Sequence, residues 1–330
     1  MVFLSVLFCA VLGVAAVAGA YAISIAEVWR IVAAHITGNE ATDILMVRDV
    51  IVWKIRMPRL LLAAVSGMAL AVAGATYQGC FRNPLVEPYI LGVSSGAACG
   101  AALGILFPAI FPAVPLTAFF FALLAVTLTG LLASSRGGVP PVALVLAGII
   151  VGALFSAGVG IMKYLAVDTQ LREITFWMMG GFYYASWSDT KLTAMLVLPC
   201  CFCIWLFGWK LNVLSLGDED ARSLGVNPVR LRWTLVVLAT LCAAASVASA
   251  GIIGWVGLMA PHAARMVFGP DNRWVIPASA LMGAVYLLVC DTLARTLTQS
   301  EIPVSILTAI LGAPYLLWLL RVKGRELYAR

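Results

Sequence analysis

The sequence predicts an all-α polytopic membrane protein, with about ten transmembrane helices and one short helix outside the bilayer. Three observations predict it. Of 330 residues, 63% are hydrophobic and 11% charged, whereas a soluble domain is about one quarter charged. The mean hydropathy is +1.03. The third is that eight stretches lack Asp, Glu, Lys, Arg and His over enough length to cross a bilayer core, which takes roughly 20 residues per helix.

In chain order, the first stretch supplies a span at 3–23. Ala18, Gly19 and Ala20 look like a signal-cleavage site there, but no basic segment precedes them and many spans follow, so a retained helix is expected. The second span is 60–81. The next charge-free stretch, 88–135, is too long for one crossing. Pro108, Pro112 and Pro115 in its middle remove amide donors and favour a turn, dividing it into 90–107 and 114–134. Spans at 141–163, 190–209 and 233–252 follow. A short one at 255–268 runs past His262 and Arg265, and 274–297 and 303–321 close the set. The whole chain, 1–330, reads as one transmembrane domain whose only sizeable connectors are 24–57 and 210–232.

The net charge of +6 comes from scattered basic residues and not from a stripe that would track nucleic acid. With the amino terminus inside, Lys and Arg divide 12 to 9 in favour of the cytoplasmic segments, with Arg136 and Arg330 among the 12, the direction of the positive-inside rule. All eight cysteines lie in or beside apolar spans, so no disulfide framework is implied. Cys200, Cys201 and Cys203 have no His or carboxylate in their span and read as small helix residues, so no metal site is expected. His262 and His35 likewise lack a sequence neighbour that would complete a metal or proton site.

Two helices carry small residues at every fourth position: Gly92, Gly96, Gly100 and Gly104 in one, and Gly148, Gly152, Ser156 and Gly160 in the other. Such faces permit close helix packing, and they also permit helices to slide during gating. Asp291 follows 17 charge-free residues, with Arg295 four positions later on the same face, where opposite charges pair.

The connector 210–232 predicts a short exposed helix. Ser215 is its candidate cap, acids fill the first turn, and Gly225 ends it. Mixing Leu216, Ala221 and Leu224 with charge, this element suits a groove on a partner protein.

Several motifs in a fixed order carry a resemblance. They are Met57 to Leu60; Gly74 with Gln78, Gly79 and Phe81 to Leu85; Leu91 to Ala97; Ser215 to Gly225; Gly254 to Arg265; and Asp291 to Arg295 with Pro303, Gly312, Ala313 and Pro314. Together, over residues 55–321, the chain resembles the FecCD family of ABC-importer permeases, which includes cobalamin, haem and ferric siderophore permeases. The resemblance implies a homodimer in the bacterial inner membrane, with helices 141–163 and 303–321 lining the pathway.

It also implies two cytoplasmic ATPase subunits gripping a coupling helix formed by Leu216, Gly217, Asp218, Glu219, Ala221, Arg222, Ser223, Leu224 and Gly225. Arg56, Arg59 and Arg295 would face outward and meet glutamates of a periplasmic or lipid-anchored binding protein. No cofactor would be bound by this chain. ATP and Mg would sit on the partner subunits, since no phosphate-binding loop ending in Gly-Lys-Ser or Gly-Lys-Thr occurs here. By the same reading the chain is not itself an enzyme, and ferric siderophore is the expected cargo, with haem and cobalamin as alternatives. An ion-coupled secondary transporter would want unpaired intramembrane acids, and Asp291 is the one deep candidate. An intramembrane enzyme would want a Ser, His and acid or a metal cluster in a cleft, and neither histidine has a suitable residue near it in the sequence.

Overall fold

The computed structural model describes residues 1–19, 21–38, 46–134, 141–298 and 300–328, with side chains in the last helix up to Trp318 and at Arg321. Ala20, Arg136 and Arg330, which entered the reading above, lie outside them. The helices are α1 (Val2–Val17), α2 (Ile25–Thr37), α3 (Met46–Phe81), α4 (Val93–Leu106), α5 (Val114–Ala133), α6 (Pro141–Leu165) and α7 (Asp168–Met179). They continue as α8 (Trp187–Leu206), α9 (Gly208–Leu216), α10 (Asp218–Ser223), α11 (Pro228–Ala250), α12 (Val256–Phe268), α13 (Asn272–Thr296) and α14 (Val304–Tyr328). A helix lies in each of the ten regions marked as spans. Six of these, α3, α5, α6, α8, α11 and α13, are long and apolar enough to cross a membrane. Shorter apolar helices are α1, α4 and Val304–Trp318 of α14.

The connector 24–57 is largely helical. Ser24 and Glu27 form a capping box at the start of α2, the Ser24 hydroxyl accepting from the Glu27 amide at 3.3 Å and the Glu27 carboxylate from the Ser24 amide at 3.0 Å. Gly38 ends α2 in the left-handed region, where glycine carries no Cβ penalty. Next, α3 begins at Met46 and passes through a π-helical stretch, Val50–Arg56, before its regular part. The proline-rich break falls at 107–113, between α4 and α5, where the spacing of Pro108, Pro112 and Pro115 places it.

Helix α3 is the hub. Leu60, Leu62, Ala63, Ala69, Ala71 and Ala73 are fully buried against α8, α11, α12 and α13. Two crossings set its position. A Cβ at Gly67 would fall 2.2 Å from the Gly283 carbonyl oxygen of α13, and one at Gly74 would fall 1.9 Å from the Gly257 oxygen of α12. Backbone packs directly on backbone at both, which only glycine allows.

The glycine faces read from the sequence divide between partners. Gly96 and Gly100 lie against the Phe121 and Thr117 carbonyls of α5, where a Cβ would approach to 2.5 Å in each case. Gly148 meets the Ile90 carbonyl at 2.2 Å by the same measure, and the left-handed Gly92 lies beside Gly152. Ser156 bonds Ser95 at 3.3 Å. Gly160 has open space around its α-carbon and takes part in no close approach.

Two segments near the hub are not helical, 82–92 and 251–254, and they brace each other. The Tyr89 hydroxyl donates to the Ile253 carbonyl at 2.8 Å, and the Glu87 carboxylate accepts from the Trp255 amide at 2.9 Å. Gln78 donates to the Val86 and Gly257 carbonyls. Unwound backbone among apolar helices needs such partners, because no water is at hand to supply them.

Candidate functional site

The polar features gather at two opposite ends of the bundle. One end holds the start of the regular part of α3 and the finish of α13; the other holds the finish of α3, the start of α13, and α9 with α10.

At the first end, Arg56 and Arg59 lie one helical turn apart on α3. Arg56 donates to the carbonyls of Ala16, Val17 and Tyr21 at 2.9, 3.0 and 2.5 Å. Arg59 grips Asp291 of α13 through Nε at 2.9 Å and Nη2 at 2.8 Å, and reaches Glu301 through Nη1 at 2.8 Å. Arg295 donates to the Ala18 carbonyl at 2.7 Å and to that of Ala15, and stands 3.5 Å from Asp291. The ring of Tyr183 faces the Arg59 guanidinium at 5.8 Å. Asp291 is fully buried and the Arg59 and Arg295 side chains are each 8% exposed.

One expectation is met and extended here, and one changes. Asp291 does have Arg295 within reach, but its closer partner is Arg59, 232 positions earlier, because the Gly67–Gly283 crossing brings these helix ends together. The three arginines are not free cations presented outward. Carbonyls and carboxylates of the same chain occupy them, as an arginine withdrawn from water requires. Among the described residues of this cluster, Glu301 is the most open to solvent, with 36% of its side chain exposed.

Beside the cluster is a cavity of about 530 Å³ whose lining includes Arg172, Glu173, Trp177, Tyr183, Asp189 and Ser249. Thr169, Arg172, Glu173 and Phe176 contribute one face of α7 to it. The sequence reading did not foresee this cavity, because its wall comes from five separated segments.

At the other end, α9 stops at Gly217, whose φ of 142° breaks the helix, and α10 follows immediately. Ser215 is not the cap of this helix: it lies in the last turn of α9 and its hydroxyl donates to the Leu211 carbonyl at 2.9 Å. Gly225 does end the element, at φ 76°, with the Val226 amide returning to the Ala221 carbonyl at 2.8 Å. Leu216 and Leu224 are 64% and 55% exposed, and Glu219, Arg222, Ser223 and Gly225 are exposed with them. Ala221 faces the opposite way and is fully buried, so it belongs to the seat of the helix and not to its free face.

Asp218 is half-exposed and pairs with Arg232 of α11 at 2.6 Å. The Arg232 side chain is 3% exposed, and its Nε donates to the Cys80 carbonyl near the end of α3 at 3.3 Å. The hydrogen bond from Arg232 holds the Asp218 carboxyl below the usual carboxylate range, with Arg82 and Arg222 adding to it. The neighbouring α9 is tied to the start of α13, where Asn212 donates to Asp271 at 2.7 Å and accepts from the Asn272 amide at 2.8 Å.

Among the described residues no three His, Cys, Asp or Glu side chains are placed to hold a metal ion. Cys201 and Cys242 approach to 3.9 Å between α8 and α11. Sequence reasoning missed Glu301, Arg232 and Asn212. Each has a faint signal, a polar residue at the edge of an apolar span, but nothing in one dimension names its partner.

The chain matches the FecCD transport family over residues 4–322. It belongs to that family. A haemin transport system permease protein, HmuU of Yersinia pestis, is 43% identical over 284 residues, which cover 83% of this chain and 84% of the relative. A molybdate import system permease protein, MolB of Haemophilus influenzae, is 36% identical over 297 residues, covering 90% of this chain and 87% of the relative. Among solved structures, an inward-facing transporter assigned to the metal-chelate ABC type superposes with a TM-score of 0.84 at 34% identity, covering 96% of this chain and 97% of that one. This FecCD chain is therefore a multi-pass membrane protein, and both of its polar ends lie within the matched region.

Proposed function

We propose that the chain is the permease subunit of an ABC importer for a metal chelate, working as a homodimer in the bacterial inner membrane. It crosses the membrane ten times, with the Gly217–Gly225 end in the cytoplasm and the arginine end outside. Two ATPase subunits, which carry ATP and Mg, grip α10, and closure of the ATPase pair drives alternating access along α6 and α14. The observation that carries the reading is the exposed surface of the 216–225 segment: Leu216 at the end of α9, Leu224 just after α10 and the charges of α10 stand clear of the bundle. A chain that merely filled a bilayer has no use for such a face, whereas a partner groove does.

The cargo is a metal chelate, ferric siderophore being the first choice and haem or cobalamin the alternatives. The relatives named for haemin and for molybdate differ greatly in cargo size at comparable identity, so identity alone does not select among cargoes. A binding protein docks at the arginine end. Since Arg56, Arg59 and Arg295 already hold internal partners, docking proceeds by exchange, an incoming carboxylate replacing Glu301 on Arg59.

The test is uptake into proteoliposomes holding this chain with its co-expressed ATPase. Uptake that needs ATP inside and the binding protein outside supports the reading. Uptake driven by a proton gradient without ATP would replace it with the ion-coupled alternative.

A further inference from the structure

A lever needs a joint as well as a handle. The exposed face of α10 is the handle, and the joint lies on its other side. The helix is six residues long, flanked by Gly217 at φ 142° and by Gly225 at φ 76°. Backbone at both ends is therefore in a conformation that other residues rarely adopt and glycine reaches readily. Backbone bonds close the helix on itself, the Ala221 amide to the Gly217 carbonyl at 3.0 Å and the Val226 amide to the Ala221 carbonyl at 2.8 Å, and side chains attach it to the rest of the bundle.

Two attachments are present. Ala221 is buried beneath α10 and gives non-directional contact. The other is the Asp218 carboxylate, which takes both terminal nitrogens of Arg232, Nη2 at 2.6 Å and Nη1 at 3.3 Å. This is a two-point contact that resists rotation as well as separation. Arg232 in turn passes the contact on. It stands in the second turn of α11, and its Nε donates to the Cys80 carbonyl one residue before the end of α3. Its guanidinium thus joins three elements: the short helix, α11, and the hub helix α3. Arg82, the left-handed residue that closes α3, lies over Gly217, 3.6 Å from the position of a Cβ there.

We infer that Arg232 is the positioning residue that carries movement of the short helix into α3 and α11, with Asp218 as its grip. This rests on the reading that an ATPase subunit holds Leu216, Leu224 and the charges between them. Arg232 touches neither nucleotide nor cargo. It converts a pull on a glycine-flanked helix into displacement of two membrane helices. Lysine is a poor substitute, since one ammonium cannot bind Asp218 at two points and the Cys80 carbonyl in the same plane.

The experiment uses the complete complex with its ATPase subunits and spin labels at Ser223 on α10 and Val237 on α11, both exposed. Distances are read without nucleotide and after vanadate trapping with ATP. In the otherwise unaltered chain the two labels move together, and the distance distribution stays narrow and unshifted on trapping. In Arg232→Gln the ATPase still co-purifies within twofold and keeps its KM for ATP. On trapping, however, in this variant and in Asp218→Asn the labels separate or the distribution broadens at least twofold. Arg232→Lys falls between, and the charge exchange Asp218→Arg with Arg232→Asp restores the narrow distribution.

An unshifted, narrow distribution in Arg232→Gln and Asp218→Asn overturns the inference. A separate variant, Leu216→Asp with Leu224→Asp, tests the underlying reading. If it captures the ATPase as well as the parent does, the docking reading fails. If it loses the ATPase while the tether variants behave like the parent, only the inference about Arg232 fails.

Discussion

The two polar ends of the bundle use the same chemistry, arginine against carboxylate, under opposite conditions. At the arginine end Asp291 is fully buried between two guanidiniums, and the helices that carry them are locked by a glycine crossing. At the other end Asp218 is 31% exposed, and it belongs to a helix flanked by glycines. The first arrangement punishes any loss of a partner, because an uncompensated charge stays buried. The second is buried on one side only: water reaches Asp218, whereas the Arg232 guanidinium is 3% exposed, so loss of a partner costs less than at Asp291. In the proposed importer, a fully buried anchor at one end and a half-exposed contact at the other suit a lever driven from the α10 side.

The contrast can be broken most sharply at Asp291. Asp291→Ala leaves Arg59 and Arg295 facing each other without their shared anion, and it is expected to lower stability by about 3–5 kcal/mol. A fall in melting temperature in detergent checks it, and a melting curve like the parent's would show that the cluster is not an anchor. Gly67→Leu attacks the crossing instead. With 2.2 Å available to a Cβ, overpacking is expected to cost about 1–3 kcal/mol or more, read as lower yield of monodisperse protein and an earlier melt.

Asp218→Asn keeps an acceptor oxygen for the buried Arg232 guanidinium and is expected to cost about 1–3 kcal/mol, less than Asp291→Ala, while coupled transport falls much further. Equal losses in melting temperature for the Asn variant and for Asp291→Ala would erase the distinction between the two ends. Glu301→Gln belongs with the small effects, about 0.2–1 kcal/mol, since its carboxylate is partly in water. Its interest is in docking: release of Arg59 is expected to tighten binding-protein capture in a pull-down. The smallest effect is expected at Gly160→Ala, within about 0.5 kcal/mol of the parent, because nothing lies near that α-carbon.

Much of the architecture was legible in one dimension because it depends on composition and local chemistry. A lipid environment leaves apolar runs as helices, prolines end them, and glycine in the left-handed region stops them, so the break at 107–113, the ten helical regions and the stop at Gly225 follow from the residues themselves. The connector at 24–57 holds further helix that its charged residues hide from a count of charge-free stretches, its local signal being the Ser24–Glu27 capping box. The motifs that led to the family were likewise visible as strings.

What the sequence alone determined is where helices form, where they stop, and which family the chain joins. What only the tertiary structure decided is who meets whom: that Arg59 and not Arg295 is the close partner of Asp291, that the three arginines are already occupied, that Ala221 faces inward, and that Arg232 holds Asp218. Helix formation is a matter of neighbours three and four residues apart. Charge pairing across 232 positions depends on which backbones can touch, and that was settled by two glycine crossings whose partners no periodicity announces.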